Sequence, residues 1–264
     1  IFKMNFYESI LLGLVQGATE FLPVSSSGHL ILLRKIFNIN EMSLLLEVAL
    51  HIGTLISILC FWFKDYLIEI KLILKGNFET LLKIIIGCIP AAIIGFFFKE
   101  DIRMYFYSIN SISYLTVSYF MMSLLLLSTK FFKKNNVDSI SYINALLIGC
   151  VQAIAIIPGI SRSGITIAIA LLLGISFRAS IKFSFILVIP ILIFAGLDSM
   201  VTDYSLITQD INTILFLLIG VLFSSLSGYV FLFLLNKILI NNKFWLFSFY
   251  CLFISILLLI FNYE

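Results

Sequence analysis

The chain has 264 residues, of which 61% are hydrophobic and only 12% are charged, and its mean hydropathy is +1.14. A soluble domain carries roughly twice this charged fraction. The composition therefore excludes a soluble domain and indicates a protein that crosses a membrane several times. The formal net charge of +3 is too small to favour nucleic acid as a partner. The four cysteines stand singly, without CxxC spacing, which favours ordinary buried thiols over a disulfide or a metal site.

The first predicted element is residues 6–37, where two short apolar pieces flank a centre rich in Pro, Ser and Gly. Each piece has about 10–14 residues, whereas a membrane-spanning helix needs about 20. The pattern predicts a re-entrant helical hairpin, whose broken backbone must be buried in protein or face a water-filled cavity. No cleavable signal sequence is expected, because this stretch lacks a small-residue cleavage site and runs straight into polar residues.

Six apolar stretches are predicted to cross the bilayer, and a second hairpin is predicted at 140–175. The spans lie at 44–63, 84–98, 112–130, 181–198, 212–235 and 244–262, of which 84–98 is short. The fold class is therefore an all-α polytopic membrane protein with about six transmembrane helices and two re-entrant hairpins. Residues 1–264 form a single membrane domain, built from the repeat halves 1–130 and 140–264.

The two hairpins are copies of one segment. Residues 13–31 read GLVQGATEFLPVSSSGHLI, and residues 149–167 read GCVQAIAIIPGISRSGITI, at an offset of 136 positions. Three spans separate the copies, so the second is predicted to be inverted relative to the first. Inverted repeats bring broken helices together near the middle of the bilayer, and we expect one shared polar site there.

Loop charge predicts the orientation of the chain. Most lysines and arginines fall on one face, among them Lys64, Lys83, Lys130 and Lys182. The positive-inside rule places that face in the cytoplasm, so that both termini and the base of the first hairpin face outward.

The first hairpin carries polar residues that suit chemistry on one ligand. Gln16 and Glu20 share a helical face, and Ser25–Ser27 open the next helix, where free backbone N–H groups favour an anion. His29 lies within reach of the first two serines. Such a set suits phosphoryl or acyl transfer. The simpler interpretation is that the serines only cap the helix and His29 is a buried histidine, but an ionisable Glu20 at membrane depth favours function.

The second hairpin supplies an arginine. Arg162 stands at the position of Ser26, flanked by Ser161 and Ser163, with Thr166 one turn later. A guanidinium stays protonated and presents a rigid fork of donors that matches phosphate. The segment is therefore predicted to bind a phosphate or diphosphate. The alternative is an arginine that extends to the membrane interface.

Three other polar positions are weaker candidates. Glu47 and His51 stand four residues apart at the start of the first span, and they either support the site or only bond to each other. Gln152 repeats Gln16, but no acid follows it four residues later. We therefore expect the two hairpins to have diverged, with an acid in one and an arginine in the other.

These motifs resemble the undecaprenyl-diphosphate phosphatase family, the integral-membrane bacitracin-resistance type. The family's (Glu/Gln)-x-x-x-Glu motif, leading into Pro-x-Ser-Ser-x-Gly-His, reads here from Gln16 to His29, and its Pro-Gly-x-Ser-Arg-Ser-x-x-Thr motif from Pro158 to Thr166. The resemblance extends to LEVALHIGTL, IIGCIPAAIIG and IKFSFILVIPIL, and so covers nearly the whole chain. Some members have a glutamate at the position of Gln16. Because this chain has a glutamine there, Glu20 is the only carboxylate of this motif.

The resemblance implies hydrolysis of the terminal phosphate of the C55 isoprenoid diphosphate, which recycles the lipid carrier of peptidoglycan synthesis. It also implies a bacterial plasma-membrane protein with membrane lipid around it, an active site open to the outer face, and a divalent cation, Mg²⁺ or Ca²⁺. Glu20 and Gln16 are the expected metal ligands. The expected catalytic residues are Ser26, His29, Glu20 and Arg162. The expected substrate-binding residues are Ser25, Ser27, Ser161, Arg162, Ser163 and Thr166.

Two questions stay open at this point. The nucleophile is Ser26 assisted by His29, or Ser25, or His29 itself, or a water that His29 activates. The function is either that of an enzyme or that of a transporter of a phosphorylated lipid carrier or small anion, because inverted repeats with broken helices are chiefly a transporter architecture. One chain could also do both. The hydroxyl–imidazole pairing beside Glu20 favours the enzyme. The sequence does not fix the oligomeric state, and a homodimer is one option.

Overall fold

A computed structural model gives the fold of residues 6–37, 44–106, 111–131, 137–202, 211–240 and 242–261. These residues form eleven α-helices and no β-strand. The helices are α1 (Phe6–Phe21), α2 (Ser26–Ile36), α3 (Leu44–Phe61), α4 (Phe63–Leu74), α5 (Glu79–Phe106), α6 (Ser111–Ser128), α7 (Tyr142–Ile154), α8 (Arg162–Leu172), α9 (Phe177–Thr202), α10 (Ile211–Ile240) and α11 (Phe247–Phe261).

Five apolar segments in the described residues are long enough to cross a membrane. They are Glu79–Phe98, Ile112–Phe131, Phe177–Phe194, Ile214–Ile238 and Phe244–Phe261. A sixth candidate is the pair α3 and α4, which is bent by 78°. The prediction of a helical membrane protein with about six spans is therefore confirmed.

One predicted span is longer in the structure than its apolar stretch. The stretch at 84–98 lies within α5, a helix of 28 residues. The helix begins earlier because Glu79 and Lys83, one turn apart, form an ion pair that stabilises its polar first turn. Apolar length therefore underestimated this helix.

Both predicted hairpins are present. Helices α1 and α2 have 16 and 11 residues, α7 and α8 have 13 and 11, and the helices of each pair pack against each other. Pro23 and Pro158 lie in the two breaks, where a missing backbone N–H does not interrupt a helix. Ser25 and Ser161 cap the second helix of each pair by accepting a hydrogen bond from the N–H of Gly28 and of Gly164.

The hairpins are interlocked with the spans of the opposite half. Helix α1 packs along α10, and its copy α7 packs along α5. Gly17 and Gly149 lie at these two contacts, and an added Cβ would collide with the backbone of Ser224 and of Gly87 respectively. Small residues let membrane helices approach this closely. The first helix of each hairpin thus packs against a span of the other half, as expected for two related halves. The inverted orientation of the second half stays a prediction.

Candidate active site

The tips of the two hairpins are in direct contact. The backbone N–H of Gly159 donates to Ser25 Oγ at 3.1 Å, and Ser163 Oγ donates to the carbonyl of Glu20 at 3.2 Å. Ser161 Oγ donates to the carbonyl of Leu22 at 3.4 Å. The predicted meeting of the two polar segments therefore occurs, and buried hydroxyls hold them together.

Backbone conformation at the tips is unusual at two positions. Ser25 has φ of 64° and Gly159 has φ of 90°, both in the left-handed region. Glycine adopts this region freely, whereas a serine there is uncommon and costs free energy. The hydrogen bond between these two residues spans both breaks. Strain of this kind is typical of functional sites, where the surrounding structure imposes it.

Glu20 is the centre of the site. Its Oε1 accepts a hydrogen bond from Arg162 Nη2, and its Oε2 accepts from Ser26 Oγ at 2.6 Å and from Gln16 Nε2 at 3.0 Å. The side chains of Glu20 and Arg162 are only 6% and 17% exposed. A buried carboxylate is tolerated when it is paired and hydrogen-bonded, and this one is both.

His51 joins this cluster, although its position in the sequence indicated either a supporting role or only a bond to Glu47. Its Nδ1 lies 2.5 Å from Gln16 Nε2, and the amide nitrogen is the donor in this bond. Nδ1 of His51 is therefore the acceptor. The spacing of Glu47 and His51 on one helical face was the only sequence signal for this residue, and it did not indicate Gln16 as the partner.

His29 does not meet Ser26, contrary to the predicted pairing. Its Nδ1 lies 2.7 Å from the backbone oxygen of Ser25, and its Nε2 lies 2.6 Å from the hydroxyl of Tyr250. Ser26 instead donates to Glu20. The carboxylate is the better acceptor for the serine hydroxyl, because hydrogen bonds to an ionised group are stronger.

Tyr119 and Tyr250, which contact His29, were not among the predicted site residues. They lie in α6 and α11, and the Tyr119 hydroxyl is 3.1 Å from His29 Nδ1. In sequence both are tyrosines within apolar spans, a setting in which aromatic residues commonly face lipid. No local pattern distinguishes them from such residues.

The predicted phosphate-binding hydroxyls differ in accessibility. Four of them are at most 3% exposed, namely Ser25, Ser161, Ser163 and Thr166. Thr166 Oγ1 bonds within the protein, to the carbonyl of Arg162 and to Ser184 Oγ. Ser26 and Ser27 are only partly buried. Ser26 is therefore a partly exposed residue whose hydroxyl contacts a carboxylate.

Two buried polar atoms in the cluster have no hydrogen-bond partner among the described residues. They are Arg162 Nε, a donor, and Gln16 Oε1, an acceptor. Buried polar atoms are nearly always paired, so each unpaired atom needs an explanation. A bound anion would satisfy the arginine, and a bound cation or a hydroxyl would satisfy the amide oxygen.

The fold and the site together define an integral-membrane protein with one charged, hydroxyl-containing site that two helical hairpins share. Residues 9–257 match the model of the family described as "Bacitracin resistance protein BacA". The chain belongs to this family, and the resemblance seen in its motifs is confirmed.

Proteins named "Undecaprenyl-diphosphatase" are similar to this chain over nearly their whole length. The one from Thermosipho africanus (strain TCF52B) is 42% identical over 257 residues, which cover 94% of this chain and 97% of that protein. The one from Halothermothrix orenii is 38% identical over 97% of this chain and 98% of its own length. The one from Carboxydothermus hydrogenoformans is 37% identical, with 97% of each chain covered.

Proposed function

We propose that this protein hydrolyses the terminal phosphate of undecaprenyl diphosphate and so regenerates the monophosphate lipid carrier used in cell-wall synthesis. The observation that carries the proposal is the arrangement around Glu20, where one buried carboxylate holds both an arginine and a serine hydroxyl. The name printed for the relatives supports the substrate. The alternative is a transporter. The serine hydroxyl on the carboxylate favours the enzyme, because passive binding requires no nucleophile.

Arg162 would bind the terminal phosphate. Its Nη2 is held by Glu20, while its Nε is buried without a partner among the described residues. A phosphate accepts two hydrogen bonds from a guanidinium fork, which satisfies Nε. The positive charge then stabilises the negative charge that develops on the transferred phosphoryl group.

Ser26 is the nucleophile in this proposal. Its Oγ attacks phosphorus, the Oγ proton passes to Glu20 Oε2 at 2.6 Å, and the bond from phosphorus to the bridging oxygen breaks. Undecaprenyl monophosphate leaves, and the phosphoryl group stays on Ser26. Water then attacks phosphorus, the bond to Oγ breaks, Oγ regains a proton from Glu20, and inorganic phosphate departs. Ser25 is the weaker candidate because its Oγ accepts bonds from Gly28 and Gly159.

A divalent cation, Mg²⁺ or Ca²⁺, fits the oxygens of Gln16 and Glu20. Gln16 Oε1 is a buried oxygen without a partner among the described residues, and hard cations prefer such ligands. No group of three or more His, Cys, Asp or Glu in the described chain could hold a metal, so phosphate oxygens would complete the ligand set. When bound, the cation would neutralise charge on the phosphates.

The membrane setting completes the proposal. We place the protein in the bacterial plasma membrane with the site open to the outer face, as the family resemblance implies, and the loop charges favour an outward-facing base of the first hairpin. The C55 chain would remain among membrane lipids while the diphosphate reaches Glu20 and Arg162. A further role in moving the lipid carrier across the membrane, and assembly as a homodimer, stay predictions.

The test is release of inorganic phosphate from farnesyl or undecaprenyl diphosphate by detergent-purified protein, with Mg²⁺ and then with EDTA. We expect metal-dependent release that is lost in Ser26→Ala. Ser225→Ala is the matched control, because within the described ranges the Ser225 hydroxyl bonds only to Leu222 of its own helix. Absence of release from either substrate by folded wild-type protein would reject the enzyme and favour the transporter.

A further inference from the structure

The imidazole of His29 lies between two phenols from different spans. Tyr119 of α6 is fully buried and lies on the Nδ1 side, whereas Tyr250 of α11 is 39% exposed and lies on the Nε2 side. The rings of His29 and Tyr250 are stacked, with centroids 5.8 Å apart and an interplanar angle of 12°. The phenol of Tyr250 therefore lies against the Nε2 edge of the imidazole.

The partners of His29 determine which ring nitrogen is basic. Nδ1 lies 2.7 Å from the backbone oxygen of Ser25, and a carbonyl oxygen can only accept. Nδ1 therefore carries the proton, and Nε2 of the neutral ring carries the lone pair. The hydroxyl of Tyr250, 2.6 Å from Nε2, must then be the donor. The single basic nitrogen of His29 is already occupied in the structure.

This occupancy limits what His29 can do. An imidazole nitrogen accepts one hydrogen bond, so Nε2 cannot take a proton from water or from a phosphate hydroxyl while Tyr250 donates to it. Any role of His29 with the substrate requires the phenol to leave first. The hydroxyl of Tyr250 thus stands where an O–H group of bound substrate or water would be.

Tyr250 can leave because it is 39% exposed, while the backbone beside it is held in place. The next residue, Cys251, is buried, and its Sγ lies 3.4 Å from the carbonyl of Pro23 in the first hairpin break. Movement of Tyr250 therefore needs only side-chain rotation. Tyr119 is different, because its ring packs against Gly28 so closely that a Cβ there would collide with the hydroxyl.

We propose that Tyr250 is a positioning residue that occupies His29 Nε2 in the free protein and is displaced when the diphosphate binds. The proposal rests on the proposed function, which brings the phosphate end of the substrate to Ser26. His29 is bonded to the carbonyl of Ser25, the residue before Ser26, so the phosphate end or the water that accompanies it is the displacing group. Tyr250 thereby competes with the substrate, and its hydroxyl weakens binding without taking part in the chemical step.

The test is the kinetics of Tyr250→Phe with farnesyl diphosphate in detergent. The variant keeps the ring and its stacking and loses only the hydroxyl. We expect KM to fall about threefold to tenfold, the size of one neutral hydrogen bond, and kcat to change less than about twofold. Tyr229→Phe is the matched control, because Tyr229 is a half-exposed tyrosine of α10 that packs on Phe61.

A second measurement separates this proposal from the proposed function. The inhibition or dissociation constant of a methylene-bridged isoprenoid diphosphonate reports binding without turnover, and it should tighten by the same factor in Tyr250→Phe. An unchanged constant would overturn the displacement of Tyr250. A fall in kcat with unchanged KM would also overturn it, because the hydroxyl would then act in the transition state. An inactive wild type that still shows tighter binding in the variant would reject only the enzyme.

Discussion

Arg162 donates a hydrogen bond to Glu20 across 142 positions of sequence and between the two hairpins. Both side chains are buried, so each charge depends on the other. In a medium of low dielectric constant, removal of one partner leaves an uncompensated charge, at a cost of about 3–5 kcal/mol. The pair therefore joins the two halves, and in the proposed function it holds the arginine that binds phosphate.

Loss of either charge is expected to abolish turnover. In Arg162→Ala and in Glu20→Ala, phosphate release should fall at least about a thousandfold, because phosphate binding or proton acceptance is lost. Circular dichroism should show that both variants still fold, with a lower melting temperature. The double variant Glu20→Gln, Arg162→Gln removes both charges and should regain most of the stability without activity. Near wild-type turnover in either single variant would reject the assignment.

Alanine substitution of Ser25 and of Ser26 should have different effects. Ser26→Ala should remove activity, and it should also lower stability by about 1–3 kcal/mol, because the buried carboxylate of Glu20 loses its donor at 2.6 Å. Ser25→Ala should lower stability by about 1–2 kcal/mol, because its hydroxyl caps α2 and accepts the N–H of Gly159. Thermal unfolding and phosphate release, measured on both variants, check this. Residual activity in Ser26→Ala would move the nucleophile to water or His29.

The two glutamines at equivalent positions should also behave differently. Gln152 is 2% exposed, and neither of its side-chain polar atoms has a hydrogen-bond partner in the described part of the chain. Gln152→Leu should therefore raise stability by about 1–3 kcal/mol and leave phosphate release intact. Gln16→Leu should lower phosphate release, because Gln16 bonds to Glu20 and faces His51. A destabilised Gln152→Leu protein would show that the amide has a partner.

The close approach of two helices can be tested at two helical glycines, one at a helix contact and one in open space. Gly149→Ala places a methyl group against the backbone of Gly87, so we expect a loss of about 1–3 kcal/mol from overpacking. Gly95→Ala, in α5, meets nothing within 4 Å and should be neutral or slightly stabilising. Melting temperatures of the two variants in one detergent make the comparison. Equal effects would mean that the α5–α7 contact is looser than described.

The sequence predicted the hairpins and the meeting of their polar tips for a physical reason, although it did not predict the direct contact between Glu20 and Arg162. Apolar pieces too short to span a bilayer, together with charges that cannot remain alone in it, leave few arrangements. The bend between α3 and α4 escaped prediction, because apolar composition continues through Trp62 and composition alone does not register a change of direction. The two tyrosines that bond to His29 were not predicted, for another reason. Tyr250 is 221 positions away, and only the packing of α11 brings it near.

The contact between the hairpin tips has a consequence for the order of synthesis. A ribosome adds about 5–20 residues per second, so the 142 positions between Glu20 and Arg162 take roughly 7 to 28 seconds to make. During that interval Glu20 has entered or approached the membrane without its partner Arg162. Until Arg162 is made, the charged carboxylate of Glu20 has no partner at membrane depth. The first hairpin must therefore stay at the membrane interface, or Glu20 must be protonated. Completion of the site is a late event in biogenesis, timed by the arrival of the second hairpin.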